Sequence, residues 1–234
     1  MDSGFEPAKE KKSIRETYNA KRLFEDDTNL ISSRAYNLII GLTIAAGFAI
    51  NFVMAYFFTK QILSIPLVAV IIAYFIMSLG GMFVVHKSTS AFVSGVGFVV
   101  MAVGMGLILT FIFNAYELSS VYMAFGITAT VAIVMTVLAT FFEQFFLSLG
   151  RGLFIGLIAA IVLELLCSFI FPGALELIDY GVILLFAGFI GFDWARAQQF
   201  PKTANNAIDA AADLYIDIVN VLIRVLEIIG AAKD

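Results

Sequence analysis

Apolar residues run through this chain in long stretches, at 36–58, 62–85, 91–114, 120–142, 152–171 and 178–195, each bounded by a few polar residues. A stretch of roughly 20 apolar residues is what a helix needs to cross a bilayer, so the pattern predicts six spanning helices. The punctuation is short: Thr59-Lys60-Gln61, His86-Lys87-Ser88, Asn114 to Ser120, Glu143 to Arg151, Pro172 to Glu176 and Arg196 to Asn206. Links of this size set consecutive helices side by side and antiparallel. A seventh segment, 207–230, is polar along one side. Its residues Asp209, Asp213, Asp217, Asn220, Arg224 and Glu227 recur at helical spacing and fall within an arc of roughly 80°.

Two readings of that stripe stand open: an amphipathic helix on the membrane surface, or a span whose polar face turns inward. Surface helices are usually rich in Lys and Arg, whereas this stripe is mostly acidic. The opposite arc is wide and branched, with Ile216, Ile218, Val219, Val221, Leu222, Ile223 and Val225. The inward reading is favoured, giving an all-α integral membrane protein of about seven transmembrane helices. A polar tail at 1–33 precedes a membrane domain at 34–234.

Composition narrows the picture. Of 234 residues, 61% are hydrophobic and 14% charged, which places the chain in a membrane and leaves no room for a separate soluble domain. The tail, charged from Lys9 to Asp27, lacks the early apolar core of a secretory signal. A net charge of -4 without a clustered basic face excludes nucleic acid as a partner. The single cysteine, Cys167, rules out an internal disulfide or a thiolate cluster, and the single histidine, His86, rules out multi-histidine metal sites. No metal and no cofactor are expected. The tail's lysines, Lys87, Arg151, Arg196 and Lys202 sort to one side, with Lys60 and Lys233 on the other. The positive-inside rule then puts the amino terminus in the cytoplasm of a plasma membrane. Gly95, Gly97, Gly104 and Gly106 in the third span are read as close helix packing.

The candidate chemistry lies in carboxylates at membrane depth, which are costly unless paired or wet. Asp193, in Gly191-Phe192-Asp193-Trp194-Ala195-Arg196, ends the sixth span. The short link to the seventh predicts that it meets Asp213 or Asp217, where two carboxyl groups share a proton and titrate as a pair. The plainer alternative pairs Asp193 with Arg196 one turn on. Glu164, inside the fifth span, is expected to face the bundle interior and line the same path. Glu143 reads as a solvated helix end, and Glu176 and Asp179 as an acidic helix start.

The carboxyl-terminal third resembles the Bax inhibitor-1 family of membrane proteins. The resemblance lies in Phe186-Ala187-Gly188-Phe189-Ile190-Gly191-Phe192-Asp193, a short polar link, and Ala212-Asp213-Leu214-Tyr215-Ile216-Asp217-Ile218-Val219-Asn220. Weaker similarity touches Ala35 to Leu38, Ala124 to Ala129 and Leu149 to Phe154. What the resemblance implies is six helices around a central seventh and a pH-sensitive calcium leak whose sensor aspartates match Asp193 and Asp217. The basic latch of that family, on the second span, is represented here by the neighbourhood of His86 and Lys87, with Arg196 a further latch candidate. An acidic residue that the family carries inside that span is absent from 67–85, and Glu164 is the candidate substitute.

The expected function is a passive cation path, for calcium by the resemblance, gated by Asp193 and Asp217 and aided by Asp213 and Glu164. Its partners are membrane lipids, cations and protons, with a membrane protein partner as a further candidate. No enzyme activity is expected. The alternative is an interaction protein that regulates a stress response or a membrane protease. An intramembrane enzyme using an aspartate dyad is the remaining reading.

Overall fold

The structure is a computed structural model that describes residues 29–170 and 175–230. The expectation of a polar tail at 1–33 therefore falls almost wholly outside the described residues, as does the side chain of Glu176. Among the described residues the chain forms eight helices: α1 (Ser33–Phe57), α2 (Thr59–Leu63), α3 (Leu67–Lys87), α4 (Ala91–Ala115), α5 (Leu118–Phe141), α6 (Glu143–Ile170), α7 (Leu175–Gln198) and α8 (Ala204–Ile229). All but the short α2 are long enough to cross a bilayer, and six of them, α1 and α3 to α7, are also apolar enough.

The helix ends follow local chemistry. Ser32 caps α1 by accepting a hydrogen bond from the Ala35 N–H, and Thr203 caps α8 by accepting from Asn206. Pro66 and Pro201 stand in links, where a missing N–H costs no helix bond. One boundary differs from expectation. Glu143 to Arg151 is not a loop but the first turns of α6, and the chain breaks only at Phe142. Polar residues there mark depth near the interface, while the backbone keeps its helix.

Seven helices alternate in direction, so both clusters of chain ends can be recognised by contacts. At one end the Ile31 N–H donates to the Lys202 carbonyl, and the Tyr36 hydroxyl donates to the Ala197 carbonyl. There too Asn205 bridges the α3–α4 turn, donating to the Ser88 carbonyl and accepting from Ser94. At the opposite end Gly230 lies against the ring of Tyr116.

The least apolar long helix is the most enclosed. Most of α8 is buried, including Asp209, Asp213 and Asp217, while α6 buries only Phe146 and Gly150. Helix α8 packs against α7, α1, α5 and α4, with a lighter contact to α3, and α6 leans mainly on α7. Ala207, Ala210, Ala211 and Ala212 are fully buried on α8, and their small side chains let neighbouring helices approach closely. The outward faces of the other helices are lined by exposed Leu, Ile, Val and Phe, as contact with lipid requires. The aspartate half of the stripe is thus internal, while Asn220 and Arg224 are half-buried and Glu227 is exposed.

Candidate functional site

The site is built where the end of α7 meets the first half of α8. Asp193, one turn before the end of α7, is buried, and its carboxyl lies beside that of Asp217. A hydrogen bond between two carboxyl groups needs a proton on one of them. Asp217 sits near the middle of the 26-residue α8, and its Oδ2 is buried without a partner among the described residues. Of the two expected neighbours, Asp217 lies beside Asp193, and Asp213 shares an Arg196 nitrogen with it.

Asp213 is instead the centre of an ionic cluster. Arg196 donates to its Oδ2 at 2.7 Å while reaching Asp193 Oδ1 at 2.9 Å. His86 Nε2, from the end of α3, lies 3.1 Å from the other oxygen of Asp213. The plainer pairing of Asp193 with Arg196 and the carboxyl pairing with Asp217 therefore coexist. Arg196 also lies 5.3 Å from the Phe192 ring centre, which stacks it against its own helix. Of the latch candidates, Arg196 and His86 are engaged. Lys87 is not part of the cluster and lies 5.7 Å from the centre of the Phe83 ring.

Glu164 stands apart. It accepts from Arg224 at 2.6 Å, and the same guanidinium contacts Asp179 at 2.8 Å and Glu227 at 3.0 Å. Arg224 lies seven residues beyond Asp217, about 10 Å along the helix axis. Three carboxylates from α6, α7 and α8 thus converge on one arginine toward the far end. Arg224 was visible in the stripe, but its partners come from distant segments and no spacing announces them. Asp179, read as an ordinary helix start, is one of those partners. Between the clusters Asn220 donates to the Ile216 carbonyl of its own helix. Among the described residues no group of three His, Cys, Asp or Glu side chains is arranged to hold a metal ion.

Seven long helices with a buried acidic stripe on the central one define a multi-pass membrane protein. The family described as "Inhibitor of apoptosis-promoting Bax1" has a model that matches residues 28–234, and the chain belongs to that family. A protein of Helicobacter pylori strain J99, named only as uncharacterized, is 34% identical over half of this chain and half of its own length. An uncharacterized membrane protein of Streptococcus pyogenes serotype M3 is 27% identical over 86% of this chain and 93% of its own. A Deinococcus radiodurans protein, also uncharacterized, is 24% identical over 95% of this chain and 99% of its own.

Proposed function

We propose that this chain is a passive, proton-gated cation path, with calcium as the cation, in a plasma membrane and with its amino terminus in the cytoplasm. The observation that carries the reading is the juxtaposition of the buried carboxyl groups of Asp193 and Asp217, the latter at mid-length of the central helix. With one proton shared, the pair holds α8 against α7. Removing that proton sets like charges at close range, and adding a second removes the ionic hydrogen bond, so either change loosens the contact. Arg196 and His86 hold Asp213 in the same cluster and act as the latch. When they release, Asp213 is free to attract a cation. Glu164, with Arg224, stands near the far mouth. Oxygen ligands of this kind suit calcium. Nothing in the reading requires a cofactor or a catalytic step.

Calcium flux into liposomes carrying the purified protein tests the proposal. Flux should change steeply between about pH 5 and 8, where a shared-proton pair can act. Asp193→Asn and Asp217→Asn should each flatten the profile, and the double variant should add little, since two residues forming one switch are not additive. If both single variants keep the parent's profile, the pair is structural, and a regulatory interaction protein becomes the better reading.

A further inference from the structure

Helix α6 buries only two residues, Phe146 and Gly150, and both lie against α7. The two helices are keyed together by bulky side chains set against glycines. Phe146 fills the place that a side chain would take at Gly191, and Leu153 does the same at Gly188. At Gly150 the pairing reverses, and a methyl group there would meet the ring of Phe192 at 2.6 and 2.9 Å. Phe146 and Leu153 stand on either side of Gly150 along α6 and hold that helix against α7. The helix therefore cannot step aside, and only a residue without a Cβ leaves the buried Phe192 ring its place.

That place matters because of Arg196, one turn further along α7, whose guanidinium carbon lies 5.3 Å from the centre of the same ring. The guanidinium reaches Asp213 at 2.7 Å and Asp193 at 2.9 Å through one nitrogen, Nη2. Its side chain is still 26% exposed, and an arginine near the end of a membrane helix tends to extend toward interfacial water. The ring opposes that tendency by attracting the guanidinium and covering it on the side of the carboxylates. We propose that Phe192 is a positioning residue of the latch and Gly150 the notch that seats it, so that α6 fixes where Arg196 stands against Asp193 and Asp213. The inference rests on the gated cation path proposed above, and adds to it a side chain with no charge or proton of its own. Without the ring, Arg196 leaves Asp213 more readily, and Asp213 leans on His86, 3.1 Å away.

Two measurements on the full chain test this. His86 is the sole histidine, so its imidazole gives a single nuclear magnetic resonance signal, and the pH midpoint of that signal reports whether Arg196 is seated on the neighbouring Asp213. Phe192→Leu and Gly150→Ala should each move the midpoint in the direction that Arg196→Gln moves it, by roughly half a pH unit, the scale of one cation–π contact. On the Arg196→Gln background Phe192→Leu should move it no further, since the group through which the ring acts is gone. Gly152→Ala, where a methyl group would meet nothing within 4 Å, should leave it in place. Phe192→Leu introduces no overlap, so it retains the fold even where Gly150→Ala does not. In liposomes, at the pH where the parent passes least calcium, Phe192→Leu should raise the flux about fivefold, the same contact read as a population. A ring that only fills space would lower the melting temperature of Phe192→Leu and leave the midpoint unmoved, and that result overturns the proposal, as does an undiminished shift on the Arg196→Gln background. A parent without calcium flux would overturn the cation path and not the seating of Arg196, which the imidazole midpoint reads by itself.

Discussion

At the scale of the residue, the decisive group is Arg196, because one guanidinium serves two carboxylates that would otherwise repel. Asp213 is 7% exposed and Asp193 8%, so removing their cation leaves charge stranded in a poorly solvated place. Arg196→Gln should lower stability by about 3 kcal/mol, the scale for breaking one side of a buried ion pair, read as a lower melting temperature in detergent. Adding Asp213→Asn should recover part of that loss, since the stranded charge is then gone. Had Arg196 been a solvated helix end, neither change would move the melting temperature by more than a few tenths of a kcal/mol. The carboxylates were legible from the sequence because charge is rare in apolar runs. The bridging role of Arg196 was not, because it depends on where the side chain reaches after α7 and α8 are packed. His86 comes from α3, more than a hundred residues from Asp213, and only the assembled bundle brings the two together.

At the scale of the element, helix existence was legible and helix ends were not. Apolar run length reports the thickness of the hydrocarbon layer, whereas the helix continues into the interface, where polar residues are at no disadvantage. Glu143 to Arg151 was therefore read as a link although its backbone is helical. Glycine use separates in the same way. Gly95 was grouped with Gly97, Gly104 and Gly106 as packing positions, yet a methyl group at Gly95 would meet nothing within 4 Å. At Gly81 a methyl group would meet the Gly97 carbonyl oxygen at 2.5 Å and the Met101 nitrogen at 2.6 Å, so α3 and α4 meet there backbone to backbone. Gly81→Ala should accordingly destabilise by about 2 kcal/mol, in the range for overpacking. Gly80→Ala, one position away and open, should be neutral or stabilising by up to about 1 kcal/mol, the glycine-to-alanine difference in helix propensity. Parallel thermal melts of the two variants check this, and equal losses would show that the α3–α4 contact is not tight.

At the scale of the whole molecule, the central question is which face of the membrane the Asp193 cluster occupies, because that face sets the pH that would act on the proposed gate. The alternation of seven helices places the α3–α4 turn, the α7–α8 link and the start of α1 at one end. That end carries Arg34, Lys87, Arg151, Arg196 and Lys202, while Lys60 is the exposed cation described at the other, where Arg224 is absorbed by three carboxylates. Lys and Arg in short links are what orient a membrane protein, so the cluster end is expected in the cytoplasm. Single cysteines in a Cys167→Ser background should resolve it, with an impermeant maleimide applied to intact cells. Lys60→Cys should react at once, and Thr89→Cys, in the exposed α3–α4 turn, only after permeabilisation. Just one helix, α3, separates these two positions, so labelling of both from the same side would mean that α3 does not cross. A cysteine in the tail, at Ser13, should behave like the one at Thr89, because α1 and α3 return the chain to the side where it began. The reverse pattern, with Thr89→Cys open and Lys60→Cys shielded, would turn the Asp193 end outward and make the external medium, rather than the cytoplasm, the pH that acts on the proposed gate.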